Sequence, residues 1–214
     1  NVQAVLSTED ENVEILQNTA VWGDVINGTT TTIENAFTIK VKNQVPNNHT
    51  VRFNLAITGE DKATWESSMS MKVYTSLFTI GNLVVDDSQS GNSNGRLDPG
   101  ETAQFKFVLT NNGGAPAQAP VTDLSIESPY ITIAQSHIDM PVVASGEAYE
   151  AIFEVTANAS QAEGTLHQLN LNVEDAYTET SSQDFVVGQM PQITIGTGTE
   201  TPEGYPFYNW YKAN

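Results

Sequence analysis

The stretch TAQFKFVLTN, residues Thr102 to Asn111, alternates apolar and polar side chains along most of its length. Alternation with a period of two marks a strand in a sheet that buries one face. The pattern recurs on both sides of it. AFTIKVKN (Ala36 to Asn43), TVRFNLAIT (Thr50 to Thr58) and SMSMKVYT (Ser68 to Thr75) precede it, and YEAIFEVTA (Tyr149 to Ala157) and LHQLNLNVE (Leu166 to Glu174) follow. Turn-forming clusters such as NNGGAP and NASQAEG separate these runs, and no window of a dozen residues keeps apolar side chains at i, i+3 and i+4. The chain therefore reads as all-β, built of Ig-like β-sandwiches in tandem.

An internal repeat supports the tandem reading. VQAVLSTEDENVEI (Val2 to Ile15) resembles VTDLSIESPYITI (Val121 to Ile133), and in each copy a glycine turn then leads to a strand with phenylalanine, FTIKV from Phe37 and FEVTA from Phe153. Phe37 to Leu55 spans 18 residues and Phe153 to Leu169 spans 16, while Leu55 to Val73 and Leu169 to Val187 both span 18. Residues Leu77 to Pro120 have no counterpart ahead of Val2. The expected organisation is a partial sandwich over 1–76, a complete one over 77–190, and a linker with the start of a further segment over 191–214. Truncation at the N-terminal side is the favoured reading of the partial copy, beside a naturally shorter domain and a sandwich completed by a segment upstream of Asn1. The last piece is rich in Gly and Thr and then aromatic, in YPFYNWY. An incomplete sandwich leaves a strand edge open, so pairing of two copies through that edge is expected.

Composition removes several function classes. Eight basic residues against 26 acidic ones give 214 residues a net charge of −18, a field that repels nucleic acid and anionic membranes and gathers cations. There is no cysteine, hence no disulfide, thiolate metal site or cysteine nucleophile. No run of about 18 apolar residues is present, so no membrane insertion is expected.

The one stretch dense in chemistry is DDSQSGNSNGRLDPGE, Asp86 to Glu101. Counted from Ser90, Asn92, Asn94 and Asp98 fall at positions three, five and nine, Gly95 at six and Glu101 at twelve. That is the oxygen spacing of an EF-type calcium loop, in which glycine makes the sharp turn and the last carboxylate binds bidentately. Position one is Ser90 rather than Asp, and Asp86 and Asp87 just upstream supply the missing charge if the loop folds back. No helices flank the loop, so it is EF-like but sits between strands. A structural calcium ion held by Asp86, Asp87, Ser90, Asn92, Asn94, Asp98 and Glu101 is the expectation, set against a polar hairpin made of ordinary turn formers.

The run from Asp86 through Ile126 also resembles the Ig-like, CARDB-type modules of large secreted bacterial proteins, most nearly those that follow the catalytic domain in gingipain-type cysteine peptidases. The resemblance covers Leu77 to about Gly188 and, loosely, the first half-repeat. It implies the sandwich fold, an extracellular or cell-surface setting and a calcium loop at Asp87, Asn92, Asn94, Asp98 and Glu101. The family's peptidase residues have nothing to map onto here.

Other side chains give weaker signals. His49 lies in a turn and reads as exposed; His137 and His167 are far from it in sequence. No Gly-x-Ser-x-Gly elbow occurs. Trp22 and Trp65 are candidates for stacking on a sugar, against the simpler expectation that large aromatics pack in cores. The chain is thus expected to be a non-catalytic spacer or structural module whose partners are neighbouring domains of the same polypeptide. The alternative is an adhesion module that binds a host protein or glycan.

Overall fold

The computed structural model of the chain describes residues 1–60 and 62–190; the aromatic C-terminal piece, with Trp210, lies outside the described residues. These residues form antiparallel sheets with no helix among them, so none is long and apolar enough to cross a membrane.

The N-terminal part contains a four-stranded sheet in the order β3 (Thr19–Gly23), β1 (Val2–Ser7), β5 (His49–Thr58), β6 (Thr64–Val73), and a small sheet pairing β2 (Val13–Gln17) with β4 (Thr38–Val41). The C-terminal part contains the order β12 (His137–Asp139), β10 (Val121–Ile126), β14 (Thr165–Glu174), β15 (Thr178–Val187). Facing it is a larger sheet, β11 (Ile131–Ile133), β13 (Ala148–Ala157), β9 (Thr102–Asn111), β7 (Phe78–Ile80), with β8 (Val84–Asp86) also paired to β9.

The sequence repeat is therefore also a repeat of pairing. The order β3-β1-β5-β6 returns as β12-β10-β14-β15, and β2-β4 returns as β11-β13. Register agrees: Ala4 lies opposite Ala20 and Ile57, as Thr122 lies opposite Ile138 and Val173. One alignment needs correcting. Leu55 lies opposite Leu6, and Leu171, not Leu169, lies opposite Leu124, so Leu55 corresponds to Leu171. The length difference then falls in the hairpin, where Thr58 meets Thr64 in one copy and Glu174 meets Thr178 in the other. A longer hairpin loop is the easier place to absorb extra residues, because it leaves every ladder pair in place.

The two parts bury very different cores. In the C-terminal sandwich Phe105, Phe107 and Phe153 are fully buried with Leu109, Leu169 and Leu171. The Phe105 ring meets Phe185 edge-on with centroids 5.0 Å apart, and Phe107 meets Phe153 at 6.2 Å. The N-terminal core is smaller: Leu6, Val13, Val45, Val51, Phe53 and Val73. The alternation in SMSMKVYT predicts a buried face, yet every residue of β6 except Val73 is exposed. The pattern is that of a half-buried strand, but among the described residues no counterpart of β7, β8 and β9 lies over it.

The two parts meet closely. Thr75 and Ser76 are buried, Asn47 Oδ1 accepts from the backbone N–H of Gly114 at 3.0 Å, and the Ser76 hydroxyl donates to Asp175. A Cβ on Gly113 would stand 2.2 Å from the Thr75 carbonyl oxygen, which requires glycine there.

The difference between the cores is measurable. Phe105→Ala should cost about 3–5 kcal/mol, the range for emptying a closed aromatic site. Met69→Ala, at an exposed site on β6, should fall within about 0.5 kcal/mol of the parent. Denaturant melts of the two variants check both values.

Candidate functional site

Loop 87–101 leaves β8 and runs directly into β9, so its two ends are set by neighbouring strands of one sheet. Successive strand residues point to opposite faces, and this separates the two leading acids. Asp86 turns outward and takes the Lys106 ammonium on β9 at 2.5 Å, with the Ser88 hydroxyl at 2.6 Å. Asp87 turns into the loop and is only 2% exposed.

Asp87 organises the loop interior. Its Oδ2 accepts the backbone N–H of Asn94 at 2.8 Å and its Oδ1 that of Gly95 at 2.9 Å. Burial alone would push this carboxyl up, but the N–H donors of Gly95 and Asn94 outweigh it and hold Asp87 below the usual carboxylate value. Glu101 closes the loop by accepting the N–H of Asn92 on Oε1 at 2.8 Å and that of Asp98 on Oε2 at 2.9 Å. Asp98 Oδ2 accepts the side-chain amides of both Asn92 and Asn94, each at 2.7 Å. Gly91 passes between the acids: a Cβ there would stand 2.2 Å from Glu101 Oε1 and 2.8 Å from Asp87 Cβ. Gly95 makes the turn with φ of +76°, as its place in the loop predicts.

The structure thus gathers Asp87, Asn92, Asn94, Asp98 and Glu101 into one hydrogen-bonded cluster. Asp86 and Ser90 stand outside it. Asp86 is drawn off by Lys106, and Ser90 lies on the Asp86 side, in a shallow cleft with Gln89, Thr102 and Glu154. Of the two upstream acids, Asp87 is the one that folds back into the loop. The Arg96 guanidinium stands at the edge of the cluster, with Nε 4.0 Å from Asp98 Oδ1. Hard oxygen donors, negative charge and a glycine turn are the donor set that calcium takes. As folded here, backbone and amide N–H groups satisfy those oxygens. Among the described residues no three carboxylates or imidazoles converge as a metal centre.

The remaining candidates do not form a second site. Trp22 on β3 is half-buried against Phe37, with ring centroids 6.2 Å apart. Trp65 on β6 is 55% exposed, with its ring over Gly59. The two stand at opposite edges of one sheet and make no shared platform. His49 is not the free turn residue its sequence suggests; it opens β5, and its Nε2 lies 2.6 Å from Asp10 Oδ2. His137 sits between Asp123 and Asp139, which raise its pKa above 6.5, Asp123 most. His167 stacks on Phe185, and burial lowers its pKa.

No protein-family model matches the chain, and no curated protein is significantly similar to it.

The Lys106 ammonium, followed by the Ser88 hydroxyl, holds Asp86 well below the ordinary value of 3.8. A carboxyl depressed in the folded state adds stability above its unfolded pKa and loses it as pH falls through the folded one. Lys106→Met should therefore lower Tm at neutral pH. The gap from the parent should stay full down to roughly pH 5 and close on further acidification, as thermal melts across that range would record.

Proposed function

We propose that this chain is a non-catalytic structural module of a larger secreted or cell-surface bacterial protein. Its Ig-like sandwiches space or present neighbouring domains, and a calcium ion pins loop 87–101. The observation that carries the reading is Asp87, a carboxylate only 2% exposed that belongs to one hydrogen-bonded loop with Asp98 and Glu101. Asp87, Asn92, Asn94, Asp98 and Glu101 would hold the ion. The Asn92 and Asn94 amides that now donate to Asp98 each carry an oxygen on the same carbon; Asn92 would turn its oxygen to the ion, and Asn94 would give up the Arg96 N–H that its Oδ1 now accepts at 2.9 Å. Calcium bound there would supply a cross-link between the two ends of a long loop, and closing such a loop otherwise costs entropy.

The setting rests on the resemblance of Asp86 to Ile126 to CARDB-type modules beside gingipain-type peptidases. A cysteine-free composition and the −18 charge are compatible with that setting. The exposure of Trp65 favours a second reading, an adhesion module that stacks its indole on a glycan or host protein. That reading requires glycan binding that disappears with Trp65→Ala.

A thermal melt tests the calcium reading directly. Against chelator, calcium at a hundredfold excess over Kd should raise stability by about 2.7 kcal/mol, because it binds the native state alone. Magnesium, which demands tighter octahedral geometry, should do much less. The rise should vanish in Asp98→Ala/Glu101→Ala and persist in Ser90→Ala. An unchanged melt in calcium would reduce the loop to a polar hairpin.

A further inference from the structure

Two domains joined by a single crossing of the chain move relative to each other unless their contact holds them. Here the crossing is residues 74–77, between the end of β6 and the start of β7. A hinge needs residues whose φ and ψ are free to change. At this crossing the four backbone polar groups of Thr75 and Leu77 are all paired. The Thr75 N–H donates to Asn47 Oδ1 at 3.4 Å, and the Thr75 carbonyl accepts from the Ala115 N–H at 3.3 Å. The Leu77 N–H donates to Asn111 Oδ1 at 3.1 Å, and the Leu77 carbonyl accepts from the Asn112 N–H at 2.7 Å. Between them Ser76 is buried and gives its hydroxyl to Asp175, in the hairpin that joins β14 to β15.

Most of these bonds tie the crossing to the second sandwich; what reaches over from the first is Asn47. Its Oδ1 accepts a second N–H, that of Gly114, at 3.0 Å. Both ends of that bond are rooted. On the first side Val45 is buried in the N-terminal core, and Pro46, with its fixed φ, accepts the N–H of His49, the residue that opens β5, at 3.1 Å. On the second side the Gly113 N–H donates to Asn111 Oδ1 at 3.0 Å, and the Gly113 carbonyl accepts the Ser145 hydroxyl at 2.5 Å. A bend between the sandwiches must break a bond whose two ends cannot follow each other. The glycines mark the same contact. Neither Gly113 nor Gly114 has a φ in the left-handed region, so the backbone conformation does not call for glycine at either. Space does: a Cβ on Gly114 would stand 2.2 Å from Tyr74 Cδ1, and one on Gly113 would stand 2.6 Å from the Leu77 nitrogen.

We propose that this junction is a lock rather than a hinge. Asn47, seated against Gly114 and the Thr75 N–H, holds the two sandwiches at one angle, so that they turn as a single body. The lock gives the spacer reading a mechanical content, a rigid arm that fixes the orientation of what it carries, and it rests on that reading for its use alone. It sits at the C-terminal end of β9, whereas loop 87–101 enters the strand at its N-terminal end.

The chain has no cysteine, so a pair of spin labels can be placed without removing a native thiol. Ser70→Cys/Gln168→Cys puts one label on an exposed strand site of each sandwich. Double electron–electron resonance on the full labelled chain should return one narrow distance. Asn47→Ala, which removes the crossing acceptor, should widen the distribution, and Asn47→Asp, which keeps an acceptor oxygen there, should leave it narrow. Gly114→Val, which drives a branched side chain into the Tyr74 ring, should widen it as well. Amide spectra of the same variants separate a freed joint from an unfolded sandwich. A broad or two-peaked distribution in the parent overturns the proposal. So does a folded Asn47→Ala chain whose distribution is as narrow as the parent's. The readout needs no calcium: a melt unmoved by calcium leaves the lock standing, and a broad distribution leaves the metal reading standing.

Discussion

A sandwich holds only if each sheet has another sheet to bury its inner face against, and in this chain that constraint falls on β9. Its inward residues Ala103, Phe105, Phe107 and Leu109 lie at the centre of the larger core, and its edges pair with β13 on one side and with β7 and β8 on the other. Each end of the strand then fixes something else. At its C-terminal end the fully buried Asn111 side chain donates to the carbonyls of Ala115 and Val143 and accepts from the N–H groups of Leu77 and Gly113. A buried amide must satisfy its polar atoms, and here it does so by tying together the segments where the two sandwiches meet. At its N-terminal end the strand begins one residue after Glu101, the acid that closes the loop.

The strands that the sequence made legible are the long ones with a clean inner face. TAQFKFVLTN forms a strand from its first residue to its last, and the stretches of β5, β13 and β14 are displaced by one residue at most. β7, β8, β11 and β12 span three residues each, too few for a period of two to register, and they exist because longer neighbours offer them an edge. SMSMKVYT misleads for the opposite reason. Alternation reports what a strand is able to bury, while burial needs a second sheet, and no local pattern carries that information.

The loop was legible as a set of oxygens and less so as a geometry. Spacing singled out Asn92, Asn94, Gly95, Asp98 and Glu101, and these do come together with Asp87. Loop spacing counted from Ser90 did not separate Asp86 from Asp87; the alternation at the end of β8 does, and the Lys106 ammonium, twenty residues away on the adjacent strand, holds Asp86 on its side. His49 shows the same limit: its partner Asp10 is 39 residues distant, so a turn-like sequence gave no sign of the pairing.

The loop and the core are also coupled mechanically. Leu97 lies inside the loop yet is buried in the main core, and its carbonyl accepts the N–H of Gly188 at the end of β15. Gly100 N–H donates to the Ala157 carbonyl, and Ala157 N–H returns to the Glu101 carbonyl at 2.9 Å, which binds the loop's exit to β13. The acids and the apolar anchor therefore belong to one short segment held by three strands. Losing order among Asp87, Asp98 and Glu101 would pull on Leu97 and on the first pairs of β9. A ligand on these acids would therefore act on the cooperative unfolding of the whole sandwich rather than on local fraying, which follows the weakest elements of a structure and leaves the core untouched.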